Sequence, residues 1–160
     1  MGLTFLLTTR GIPELYYGTE LLEDGDYSIH PTVRRDMPGG WKEDQKNCFV
    51  ASGRSKEQNE AYDFIKKILD WRKTKSVIHQ GKLIHFIPED NIYVYFRILG
   101  SEIAMVIMNG TDKETIISTK RFDEVMKGKT KGRNALTGEV LQDVGAIKVP
   151  AMSATIFELQ

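Results

Sequence analysis

Between Ile92 and Ile98 the side chains alternate. Ile92, Val94, Phe96 and Ile98 fall on one face and Tyr93, Tyr95 and Arg97 on the other. This period of two predicts a strand with one wholly apolar face. Ile103–Met108 is apolar on both faces, as a central strand would be. Thr155, Phe157 and Leu159 alternate again near the end of the chain. Turn-forming residues recur at Pro88–Asn91, Gly100–Ser101, Asn109–Gly110, Thr137–Gly138 and Val149–Pro150. Short strands at that spacing predict an antiparallel sandwich or barrel over 81–160.

Before Gly81 the period is helical. Ala61, Phe64, Ile65, Ile68, Leu69 and Arg72 lie on one face of a predicted helix over 56–75. Ser55-Lys-Glu-Gln58 opens it as a capping box, in which each side chain satisfies the other residue's backbone N–H. Residues 1–9 read as the tail of a helix with Leu3, Leu6 and Leu7 on its buried side, stopped at Arg10-Gly11. Ile12–Tyr17 then reads as a short strand, Pro13 being tolerable near its start. One strand cannot satisfy its own backbone, so this opening is expected to be part of a larger parallel sheet. Residues 23–54 form a long irregular stretch. Its Tyr27, Met37, Trp41 and Phe49 argue for an ordered, functional loop over a disordered one.

Composition narrows the function classes. The 22 basic and 22 acidic side chains cancel, which removes the electrostatic argument for nucleic acid or an anionic membrane surface. A neutral ligand such as a sugar fits that balance. One cysteine, Cys48, excludes an internal disulfide. No apolar run is long enough for a membrane span, and the first residues lack the marks of an export signal. The compartment is therefore open: cytoplasm, periplasm and secretion are all compatible.

Three stretches, RGIPELYYGTELL, HPTVRRDMPGGW and GRSKEQNEAYDFIKKILDWRK, together resemble the C-terminal part of glycoside hydrolase family 13, the α-amylase superfamily. The cyclomaltodextrinase and neopullulanase branch looks nearest, and the resemblance runs along nearly the whole chain. It implies a mixed fold. Residues 1–80 would be the remnant of a TIM (β/α)8 barrel, with its last strand, a substrate-side loop over 23–54 and its last helix at 56–75. An all-β antiparallel C-terminal sandwich would follow over 81–160. Tyr16, Tyr17, Gly18 and Glu20 would then lie at the C-terminal end of a barrel strand, where such folds place their chemistry. The family's retaining mechanism needs a carboxylate nucleophile and an acid–base, helped by a further Asp. The resemblance puts these after the fourth, fifth and seventh strands, upstream of Met1, so no catalytic residue is expected within this chain.

Four residues are candidates for substrate binding. His30-Pro-Thr-Val-Arg34 is similar to a family Asp-Pro-x-x-Arg pattern whose acid and Arg bind sugar hydroxyls, with His30 standing where the Asp is expected. Asp36 or Asp26 would supply the carboxylate instead, and charge-assisted hydrogen bonds suit vicinal diols. The plainer reading has Arg34 and Arg35 tying the loop down by salt bridges. Trp41 is placed to stack on a sugar ring or to anchor its own loop. Glu20 reads as a supporting residue of the rim. Glu23, Asp24 and Asp26 lack the oxygen set that calcium prefers, so a solvated acidic turn is expected even though some family members bind calcium. No metal or other cofactor is expected here. Gly128-Lys-Thr130 lacks the rest of a phosphate loop, and the basic run around it reads as an exposed hairpin loop. Asn109-Gly-Thr111 matches a glycosylation sequon, and reads more simply as a hairpin turn.

Two functions follow. The first is the C-terminal part of an α-glucan-active enzyme acting on maltooligosaccharides, inactive without the missing barrel portion. The second is a standalone, non-catalytic module that binds carbohydrate or protein. In that case Leu3, Phe5, Leu6, Leu7, Ile12 and Leu15 would form an apolar patch covered by self-association.

Overall fold

The computed structural model describes residues 1–160. Two compact units compose it: Met1–Ile12 with Ile68–Gln160, and Pro13–Lys67. The change from helical to strand period at residue 81 lies inside the first of these.

The first unit is an antiparallel β structure with a few helices. Its strands are β1 (Lys82–His85), β2 (Ile92–Leu99), β3 (Glu102–Asn109), β4 (Thr115–Ser118), β5 (Gly132–Asn134), β6 (Val140–Leu141), β7 (Ala146–Val149) and β8 (Ser153–Leu159). Six form a sheet in the order β1-β2-β3-β8-β5-β6, and β4 pairs with β7 in a second sheet. The expected central strand is β3, which runs between β2 and β8, pairing Met105 with Phe96 and Phe157. Tight turns fall where the sequence marks them. Asp90 and Asn91, with φ of 50° and 59°, turn β1 into β2, and Gly100 at φ 59° turns β2 into β3.

Val94 and Phe96 of β2, Met105 and Ile107 of β3, Ile147 and Val149 of β7, and Phe157 of β8 meet in the main core with Phe122 and Met126. Its inward apolar face is the one that the alternation predicts. The other face of the sheet is covered as well. Val77 and Ile78 of a short helix, Ser76–Gln80, pack on Ala104 with Trp71 and Leu99. The Trp71 indole N–H donates to Glu158 Oε1 at 2.7 Å, and Lys75 pairs with the same oxygen at 2.5 Å.

Helix α1 (Gly2–Thr8) buries Thr4, Leu7 and Thr8, while Leu6 stays 38 % exposed, so the buried side is turned from the expected Leu3-Leu6-Leu7 line. Two polar side chains of β2 turn it. The hydroxyls of Tyr95 and Thr8 are hydrogen-bonded. Arg97, 2 % exposed, donates to the carbonyls of Thr8 (3.1 Å), Thr9 (2.6 Å) and Gly81 (2.8 Å). Arg72 adds a 2.8 Å bond to the Leu7 carbonyl. Phe5 meets the rings of Tyr93 and Tyr95 at 6.3 and 6.0 Å, and Leu7 is fully buried, so the predicted apolar patch is partly covered from within the chain.

Other expectations are corrected. Ile12–Tyr17 is irregular and pairs with no strand. Pro13 supplies no N–H, and none of the eight strands lies in register beside the segment to complete its hydrogen bonds. Asn109-Gly110 is not a hairpin turn, because β3 and β4 belong to different sheets. The basic run is not a hairpin loop. It leaves a short helix, Asp123–Met126, through Lys127 and Gly128 at φ 52° and 76°, and enters β5.

Within the second unit, Pro13–Lys67, the capping box forms as predicted. Ser55 N–H donates to Gln58 Oε1 at 3.0 Å, and Gln58 N–H donates to Ser55 Oγ at 3.2 Å. The helix it opens spans Lys56–Lys73, two residues short of the predicted end, and buries Ile65 and Ile68.

Candidate functional site

The long loop is ordered by local polar contacts in place of strands or helices. Short 3-10 turns form at Thr19–Leu21, His30–Val33 and Ala51–Gly53. Asp26 accepts from the N–H and hydroxyl of Ser28 (2.8 and 2.6 Å), and those bonds hold its carboxyl below the usual range. Asp44 Oδ2 accepts from the N–H groups of Gly39 (2.6 Å) and Trp41 (3.0 Å), with the same effect. The Arg54 guanidinium lies 3.8 Å from the Tyr62 ring centre and donates from Nε to the Cys48 carbonyl at 2.9 Å. Gly25 permits a close chain crossing, since a Cβ there would sit 2.4 Å from the Thr32 carbonyl oxygen.

One hollow of about 140 Å³ opens in this unit, lined among others by Tyr16, Tyr17, Glu23, Asp24, Arg35 and Asp36. Tyr16 and Tyr17 pack ring on ring at 4.5 Å and are 53 % and 45 % exposed. A hydrogen bond with Tyr16 raises the Tyr17 phenol pKa. Desolvation and the nearby Asp36 act in the same direction, and the Arg34 cation opposes them. Hydroxyls, a carboxylate and a guanidinium beside exposed ring faces can bind a polyhydroxylated ligand, giving hydrogen bonds at its rim and apolar contact at its face.

Of the four sequence candidates, Asp36 lines the hollow; Arg34 does not, though its charge acts on the Tyr17 phenol. His30 and Trp41 do not line it. His30 lies exposed, its ring 6.1 Å from Tyr27, and the Trp41 ring is 65 % exposed. Ion pairs join Lys56–Glu60, Lys75–Glu158, Arg121–Glu89 and Lys148–Glu114, and Arg34 and Arg35 take part in none of these. Asp26 is committed to Ser28. Arg35, Glu23 and Asp24 were not singled out for sugar binding by the sequence: Arg35 adjoins the His30–Arg34 pattern, and Glu23 and Asp24 read as part of an acidic turn. No cluster of three or more His, Cys, Asp or Glu side chains is spaced to hold a metal ion.

Residues 83–158 match the family model described as the cyclo-malto-dextrinase C-terminal domain. The cyclomaltodextrin glucanotransferase of Niallia circulans is 30 % identical over 143 residues, covering 83 % of this chain and 17 % of the relative. That of Klebsiella oxytoca is 30 % identical over 123 residues, covering 72 % and 16 %. The cyclomaltodextrinase of Thermoanaerobacter pseudethanolicus is 26 % identical over 117 residues, covering 73 % and 18 %. An α-amylase from Geobacillus thermoleovorans, solved with acarbose, shares the fold with a TM-score of 0.73 at 21 % identity, over 98 % of this chain and 32 % of its own. The chain thus spans about a sixth of the curated relatives and about a third of that structure. These likenesses place the chain with the C-terminal part of glycoside hydrolase family 13.

Proposed function

We propose that these residues serve as the C-terminal part of an α-glucan-active hydrolase or transglycosylase, contributing a substrate-side loop and a β-sandwich but not the catalytic acids. The observation that carries this reading is the hollow in the loop unit. It brings Asp36 and the charge of Arg34 beside the Tyr16–Tyr17 pair, within a stretch that resembles a sugar-binding pattern. The relatives' names, cyclomaltodextrin glucanotransferase and cyclomaltodextrinase, agree with a maltooligosaccharide ligand.

In this reading residues 1–80 complete a barrel whose other strands pair with Ile12–Tyr17, and 81–160 form the C-terminal domain. Arg34 and Asp36 bind sugar hydroxyls, and Trp41, outside the hollow, stacks on a sugar ring. His30 stands in the place of the pattern's acid. The retaining mechanism belongs to the complete enzyme, where a nucleophile and an acid–base flank the scissile bond. The chain alone supplies neither and releases no sugar.

The test has two arms. This chain, purified, is expected to liberate no reducing sugar from amylose or β-cyclodextrin, and reproducible release would overturn the non-catalytic role. In the complete enzyme, Arg34→Ala is expected to raise KM for maltoheptaose roughly tenfold, the loss of a charge-assisted hydrogen bond. An unchanged KM would remove Arg34 from the site.

A further inference from the structure

Asn109 is fully buried, at the corner where β3 leaves the six-stranded sheet. Its Nδ2 lies 2.9 Å from the Lys113 carbonyl, 3.3 Å from that of Val149 and 2.9 Å from that of Pro150. Its Oδ1 accepts from the N–H (2.9 Å) and hydroxyl (2.7 Å) of Thr111. The next residue is Gly110, whose N–H donates to the Asn91 carbonyl at 2.9 Å. Of the five asparagines in the chain, Asn109 alone precedes a glycine.

We propose that Asn109 is a latent deamidation site, closed in the folded protein and opened by unfolding, and that its conversion prevents return to the native fold. In a free chain the Gly110 backbone nitrogen, after losing its proton, attacks Asn109 Cγ. A C–N bond forms, the side-chain nitrogen leaves as ammonia with a proton, and a five-membered imide results. Water then opens the imide to Asp or to its β-linked isomer. A glycine with no Cβ leaves the attacking nitrogen unhindered. The fold blocks the step at both partners: the nucleophilic nitrogen has its proton committed to Asn91, and the amide is held at both ends. After conversion, a carboxylate oxygen would replace Nδ2 against three carbonyl oxygens. A donor becomes an acceptor in a buried site, which is among the costliest exchanges a core can suffer. The same burial closes the glycosylation sequon.

The full chain would be incubated at mildly alkaline pH, with and without urea, and Asn109 followed by peptide mass spectrometry. The folded protein is expected to deamidate slower than the unfolded one by a factor set by its opening equilibrium, on the order of 10³ or more. Gly110→Ala is expected to slow the reaction in urea, where neither chain is folded and the tight 3.2 Å approach its Cβ would make to the Asn91 carbonyl in the native state has no bearing. Equal rates with and without urea would overturn the protection. Asn109→Asp is expected to unfold at a markedly lower urea concentration than wild type or to remain unfolded; wild-type stability in that variant would overturn the barrier to refolding.

Discussion

Tyr95 and Arg97 occupy the face of β2 that alternation alone would give to water, yet both are buried. A tyrosine and an arginine on an alternating strand read as its solvent side unless something else covers them, and here α1 does. Arg97 has no carboxylate partner. Its pKa is lowered by burial, with the Arg72 and Arg10 charges adding to the shift, and it stays a cation that serves carbonyl groups. For Tyr95, burial pushes the phenol up to about 12, the Thr8 hydroxyl opposing. An unfolded tyrosine ionises near 10. The contribution to stability is therefore fully present below about pH 10 and is lost as pH rises toward 12, a loss approaching 2–3 kcal/mol. Urea midpoints at about pH 9 and about pH 12 measure it. The fall should shrink in Tyr95→Phe, and an identical fall in that variant would contradict the assignment.

Elements were legible to the extent that their partners lie nearby in the chain. The capping box, the amphipathic helix Lys56–Lys73 and the central strand β3 follow from local period and local hydrogen bonding. Ile12–Tyr17 failed because a strand is a property of its neighbours, and no strand lies in register beside it. The Asn109-Gly110 turn failed for a related reason. The dipeptide signals a reversal, but here it marks a crossing between sheets whose cause is Asn109's own bonds to residues about 40 positions away. Helix α1 has only seven residues, too few to persist alone. Its C-terminal carbonyls lean on two guanidinium groups. Replacing Arg97 with Met should cost about 2–4 kcal/mol by leaving buried carbonyls unsatisfied. Hydrogen exchange should show the loss first in Gly2–Thr8, and unchanged protection there would show that Arg97 does not hold the helix.

For the molecule as a whole, the balanced charge gave no electrostatic argument for nucleic acid or an anionic surface, while the ordered run of three motifs pointed to a family. The candidate site was half legible. The His30–Arg34 spacing pointed to the loop that holds the hollow, but it could not show that Asp36 would line that hollow while His30 and Trp41 stay out of it. Loop conformation there rests on side-chain bonds to backbone, such as those of Asp26 and Asp44, which carry no periodic signature. The central claim is that these 160 residues work as part of a larger enzyme. An antibody raised against the β-sandwich, used on an extract of the cells that make the protein, tests it most directly. The account predicts a band several times heavier than 18.2 kDa that carries α-glucan-degrading or glucan-transferring activity when captured. A single band at 18.2 kDa would contradict it.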